Sequence, residues 1–113
     1  MRIEILLGVS RAIEHLHSSV PPVIHRDIKT ANILLDAAWV PRLLDFGVSV
    51  TFDEAERMNQ RLAGTMGYMA PEYLMEGILK PSSDIYNFGV VVLEVLTNKK
   101  AFYYRETESD ASV

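Results

Sequence analysis

The chain has no cysteine among its 113 residues, which excludes disulfide-stapled scaffolds and thiolate metal sites and leaves its redox compartment open. It also lacks a long apolar run. The most hydrophobic piece, residues 88–96, contains Glu94 and falls far short of the roughly 20 residues that cross a bilayer. Met1-Arg2-Ile3-Glu4 carries none of the basic, apolar and cleavable parts of a secretory signal. Basic residues are scattered and the formal charge is −4, so nothing attracts nucleic acid or an anionic membrane from a distance. His15 and His17 stand two apart on a helical stretch and cannot face the same way, which argues against a histidine metal pair. The expectation is a soluble, cytoplasmic chain with no nucleic-acid partner and no membrane insertion of its own. A hydrophobic fraction of 49% argues against disorder, and the length suits one modest domain without internal repeats.

What is present divides by periodicity. Ile3, Leu6, Leu7, Val9, Ile13 and Leu16 recur every three or four residues, which predicts an amphipathic helix over residues 3–16 that stops near Ser18-Ser19. No Ser, Thr, Asp or Asn precedes it, so the helix is expected to begin upstream of Met1. Val23-Ile24 and Ile33-Leu34-Leu35 read as short extended segments, 36–39 as a turn, and 40–44 as a further strand, with Trp39 covering the hairpin edge. Residues 45–72 form a long connection poor in regular signals, and connections of that length are usually functional. A helical turn over 73–75 should close at Gly77, and Pro81-Ser82-Ser83 introduces a second helix over 84–96. Its Ile85, Phe88, Val91, Val92 and Val95 span so much of the circumference that it is expected to be central. The polar residues 105–113 are expected to form a disordered tail.

Between the first two extended segments lies His25-Arg26-Asp27-Ile28-Lys29-Thr30-Ala31-Asn32, and 13 residues after Asn32 comes Asp45-Phe46-Gly47. Moving a phosphoryl group to a hydroxyl requires a carboxylate near the hydroxyl, a cation near the phosphate and oxygen ligands for Mg²⁺. Asp27 can orient the hydroxyl and accept its proton, Lys29 can offset phosphate charge, and Asn32 and Asp45 offer metal ligands. Phe46 can be buried to hold Asp45 from behind, and Gly47 allows the backbone to turn away. His25 reads as a packed residue, and Arg26 as a partner for a phosphate placed on the long loop.

The ordered series HRDIKTAN, DFG, GTMGYMAPE and SDIYNFG resembles the C-terminal lobe of a eukaryotic protein kinase, and most of all plant receptor-like serine/threonine kinases of the Crinkly type. Lys29, where another branch carries Ala-Ala-Arg, resembles the serine/threonine branch. The resemblance implies a mainly α fold with short β hairpins over residues 1–104, and ATP with Mg²⁺ or Mn²⁺ as cofactors. It also implies a protein substrate with a Ser or Thr acceptor. It makes Asp27 the base, Lys29 a phosphate contact, Asn32 and Asp45 metal ligands, and Leu34 the residue beneath adenine. Thr65 would contact both base and lysine, residues 67–72 would form the substrate-side floor, and Asp84 would hold the catalytic-loop backbone. His25 and Phe46 would share an internal stack, Thr51 would be a phosphorylation site, and Arg26 would mark loop regulation. Ile85 and Asn87 are conservative departures.

The resemblance also implies parts that this sequence does not contain: a Gly-rich phosphate loop, a strand lysine with its glutamate, later helices and an arginine partner for Glu72. The isolated chain is therefore expected to be inactive and marginally stable, acting, if at all, as an interaction or decoy module. The parent is expected to carry the rest of the domain, and receptor portions at the plasma membrane would fit the same resemblance.

Overall fold

The computed structural model describes residues 1–57 and 62–99; the expected tail lies outside them. Helix α1 spans Arg2–Ser18, with Leu6, Val9 and Ile13 turned to the core. Its N-terminus at Met1 has no side-chain cap, as the residues there predict. At its other end Ser19 is extended, and its hydroxyl and N–H both donate to the Leu16 carbonyl at 2.7 and 3.4 Å.

Strand β1 (Val23–Ile24) leads into the polar loop, which finishes in a 3-10 turn at Thr30–Asn32. Strands β2 (Ile33–Leu35) and β3 (Pro41–Leu43) form an antiparallel hairpin in which Ile33 faces Leu43 and Leu35 faces Pro41. α1 approaches this hairpin so closely that a Cβ on Gly8 would lie 2.6 Å from Pro41 Cγ. At the hairpin tip the Asp36 carboxylate accepts the N–H groups of Ala38 and Val40 at 2.9 and 3.0 Å. Those bonds, Val40's above all, hold its pKa below the ordinary carboxylate value. The expectation for Trp39 is not met: its backbone turns left-handed at φ 63°, and the side chain stands 59% exposed at the tip.

Residues 45–72 carry more regular structure than their pattern suggests. Strand β4 (Val50–Thr51) pairs antiparallel with β1, a contact between segments distant in sequence. Helix α2 (Phe52–Arg57) follows directly. Its start is a capping box: the Glu54 N–H donates to Thr51 Oγ1 at 3.1 Å, and the Thr51 N–H donates to Glu54 Oε1 at 2.9 Å. The Thr-x-x-Glu signal was legible but sits beside no long apolar period to announce it. Helix α3 (Pro71–Glu76) begins with proline at its first turn and ends at Gly77, whose φ of 71° suits a residue without Cβ.

Helix α4 (Pro81–Thr97) is the second long helix. Two apolar clusters result. Leu6, Val9, Ile13, Ile28, Tyr68 and Val91 form one; Ile24, Val50, Ala70, Tyr73 and Leu79 form the other. The polar loop is slung between them, with Ile24 in the second and Ile28 in the first. The whole is 44 × 37 × 19 Å, and 19 Å leaves room for no more than about two helix layers. Among the described residues α4 is therefore not central, although Val91 is buried and Phe88, Val92 and Val95 pack against the first cluster. Its buried face carries Ser83, Asp84, Asn87, Val91 and Glu94, while Ile85, Tyr86, Leu93 and Leu96 are exposed.

Candidate active site

The loop is held by its backbone before its side chains are considered. Asp84, fully buried on the first turns of α4, accepts the N–H of His25 at 2.9 Å through Oδ2 and that of Arg26 at 3.0 Å through Oδ1. His17 on α1 brings Nε2 within 2.9 Å of the same Oδ2, so three donors converge on one carboxylate. Removing such groups from water is costly unless each is paired, and here they are paired with one another.

His25 links the two halves of the site. Its Nδ1 accepts the Asp27 N–H at 3.0 Å, which leaves the proton on Nε2 to be donated to the Leu44 carbonyl at 2.9 Å. The Leu44 N–H in turn donates to the Asn32 carbonyl at 2.8 Å. Asp45 is thus tied to the loop through its neighbour's backbone, a role for Leu44 that no side-chain pattern discloses.

The side chains of Asp27, Lys29 and Thr65 meet. Thr65 Oγ1 donates to Asp27 Oδ1 at 2.7 Å and accepts from Lys29 Nζ at 2.8 Å. Lys29 Nζ lies 3.9 Å from Asp27 Oδ2. Asn32 Nδ2 donates to the Asp27 carbonyl at 2.9 Å and to Asp27 Oδ2 at 3.4 Å. Thr65 reaches this position because Gly64, at φ 120°, passes so near the loop that a Cβ there would lie 2.7 Å from the Arg26 carbonyl oxygen. Only glycine fits both conditions.

Two expectations at the triplet are corrected. Phe46 is not buried: its ring meets His25 edge-on at 4.7 Å but remains 42% exposed. The left-handed residue at this turn is Asp45, at φ 57°, rather than Gly47. Aspartate tolerates that conformation better than most side chains, and Asp45 Oδ1 accepts the Gly47 N–H at 3.3 Å.

Leu34 is exposed on β2 and Glu72 is exposed on the first turn of α3; neither is drawn into the cluster. Thr51 lies away in the capping box of α2. Arg26, left-handed at φ 77°, donates from Nε to the Val48 carbonyl at 2.6 Å and from Nη1 to the Tyr73 hydroxyl at 3.3 Å. Further along, the Tyr68 hydroxyl donates to Glu94, and Asn87 Nδ2 donates to the Tyr68 carbonyl at 2.5 Å. Burial, with the Glu94 carboxylate beside it, pushes the Tyr68 phenol up to about 12. His17, Gly64, Asn87 and Glu94 escaped the reading of single motifs; only Gly64 and Glu94 had a signal, a glycine beside Thr65 and an acid inside an apolar helix.

The family model for the protein kinase domain matches residues 2–113. The chain is 46% identical over 112 residues to the G-type lectin S-receptor-like serine/threonine-protein kinase RKS1 of Arabidopsis thaliana, covering 96% of this chain and 13% of that protein. It is 49% identical over 110 residues to the Arabidopsis putative serine/threonine-protein kinase-like protein CCR3, covering 91% and 14%. To the Arabidopsis probable serine/threonine-protein kinase PBL21 it is 50% identical over 103 residues, covering 88% and 27%. It therefore spans about a quarter or less of the length of these relatives. A match over nearly its whole length, on a loop whose carboxylate, ammonium and hydroxyl meet at hydrogen-bond distance, makes this chain a member of the protein kinase family.

Proposed function

We propose that residues 1–113 are part of the catalytic domain of a serine/threonine protein kinase, which moves the terminal phosphoryl group of ATP to a protein hydroxyl. The observation that carries this reading is the Thr65 bridge between Asp27 and Lys29. Phosphoryl transfer depends on positioning and charge more than on covalent chemistry, and the bridge fixes both groups at one spot. Asp27 orients the acceptor hydroxyl and takes its proton; Lys29 offsets the charge on the transferring phosphate. Leu34, open on β2, offers an apolar support for adenine.

Asn32 and Asp45 would hold Mg²⁺ or Mn²⁺. The fit is supported by buried Asn32, whose Nδ2 is committed to Asp27 while its Oδ1 has no donor among the described residues. One amide oxygen and one carboxylate suit a hard cation that takes its remaining ligands from phosphates and water. When bound, such a cation neutralises phosphate charge. In the same reading His25, Phe46, Gly47 and Asp84 shape the loop, Glu72 anchors the segment before α3, and Arg26 and Thr51 serve regulation. A phosphate on Thr51 would break the capping box of α2. The domain would work in the cytoplasm, with a parent protein associated with the plasma membrane.

The test is transfer from ATP to a Ser/Thr peptide by an intact domain containing residues 1–113. Asp27→Asn should lower kcat by about a hundredfold or more; a variant that keeps its rate would overturn the assignment. A second reading is favoured by the exposed apolar face of α4: the isolated chain is inert and serves as an interaction or decoy module. Transfer by the 113-residue chain alone, abolished by Asp27→Asn, would remove it.

A further inference from the structure

Residues 52–64 contain no Ser, Thr or Tyr. Between Asp45 and Glu72 the hydroxyl side chains are Ser49, Thr51, Thr65 and Tyr68, and each is engaged locally. Ser49 donates to the Phe46 carbonyl at 2.8 Å, Thr51 caps α2, Thr65 joins Asp27 to Lys29, and Tyr68 donates to Glu94. The stretch just before Thr65 therefore offers no acceptor for a phosphate that could draw Arg26 and residues 63–65 together.

Another group occupies that junction. Tyr73, on α3 and only 2% exposed, points its hydroxyl at both sides of it. The oxygen accepts the Ala63 N–H at 2.8 Å and Arg26 Nη1 at 3.3 Å. One phenol thus ties the backbone immediately ahead of Gly64 and Thr65 to the arginine immediately ahead of Asp27. Its ring is fixed in the apolar cluster with Ile24, Val50, Ala70 and Leu79, so the oxygen is preorganised.

We infer that Tyr73 is a positioning residue that holds Thr65 against Asp27 and Lys29 without a phosphate on the loop. The inference rests on the kinase reading for its catalytic consequence but not for the tether itself. A phosphate on Thr51 would, on this geometry, act on α2 rather than on residues 63–65.

Two measurements separate these parts. In the 113-residue chain, Tyr73→Phe keeps the ring in its cluster and removes the oxygen. Hydrogen exchange should then rise by about tenfold at the amides of Ala63 and Gly64, as expected for losing one hydrogen bond, while Val9 and Ile13 in α1 keep their protection. Unchanged exchange at 63–64 would overturn the tether. In the intact domain, Tyr73→Phe should lower kcat by about tenfold with KM for ATP within about twofold, and phosphatase treatment should leave the parent rate unchanged. A parent rate that collapses on phosphatase treatment, or a variant with full kcat, would overturn the positioning role. A domain inactive before any substitution counts against the kinase reading alone, and the exchange result still decides the tether.

Discussion

The two faces of α4 differ in what they hold. Its inner face sets buried polar groups, Ser83, Asp84, Asn87 and Glu94, among buried Val91 and the Phe88, Val92 and Val95 side chains that pack against the first apolar cluster. Its outer face is largely apolar and open, with Ile85, Leu93 and Leu96 all more than half exposed. The inner polar groups are not stranded: Asp84 holds the loop at His25 and Arg26, Asn87 holds Tyr68 by its carbonyl, and Glu94 accepts the Tyr68 hydroxyl. The helix thus fixes the site through directional bonds on its inner side and leaves Ile85, Leu93 and Leu96 open on the other. A helix can be central to a function while lying at the edge of the mass that surrounds it.

Breaking the inner face at Asp84 should have the largest effect. Asp84→Ala leaves the buried His25 N–H, the partly buried Arg26 N–H and His17 without their acceptor, at an expected loss of about 3–5 kcal/mol. Urea unfolding followed by near-UV circular dichroism measures it, and a variant within 1 kcal/mol of the parent, an amount on the order of a surface change, would contradict the role given to this carboxylate. Asn87→Ala should cost less, about 1–3 kcal/mol, because a single buried carbonyl loses its donor. The same unfolding curves would rank the two.

Titrating Tyr68 tests the inner face without mutation. Its phenol ionises at about 12 in the folded chain against 10.0 as the ordinary value. The unfolded chain therefore releases this proton first. The contribution is fully present below pH 10, declines from 10 towards about 12, and levels off above that. Unfolding free energies taken through this window, with tyrosinate absorbance as a second signal, should show that decline. Tyr68→Phe should remove it.

The smallest effect belongs to the outer face. Leu93→Gln and Leu96→Gln remove exposed apolar surface and should change the stability of the 113-residue chain by no more than about 0.5 kcal/mol each. They should also reduce self-association seen by light scattering, since exposed apolar patches promote contact between copies. A loss as large as that of Asp84→Ala would show that the outer face is already packed, and the contrast between the faces would fail.

Much of the local structure was legible because short-range rules decide it. The period of α1, the Gly77 end of α3, though not its start at Pro71, and the extended pairs around the polar loop follow from spacing, capping and φ preference. Strand β4 was not legible, since two residues gain extended structure only by pairing with β1 across more than twenty residues of chain. Nor was the exposure of Phe46, which depends on what remote segments bring against its ring. For α4, counting apolar residues gave the right helix and the packing of Phe88, Val91, Val92 and Val95, but not the exposure of Ile85, because burial is set by what the fold brings alongside and not by composition.

By itself, then, the sequence determined which chemical groups are available and in what order: Asp27, Lys29 and Asn32 on one loop, Asp45 after it, Thr65 behind a glycine, and Asp84 at the head of a helix. Only the tertiary structure decided which of them meet. Thr65 reaches Asp27 and Lys29 from 38 and 36 residues away, and Asp84 reaches the loop from 59 and 58. The physical reason is that hydrogen bonds act over about 3 Å, and distances of that size between remote segments exist only once two apolar clusters have closed around the loop.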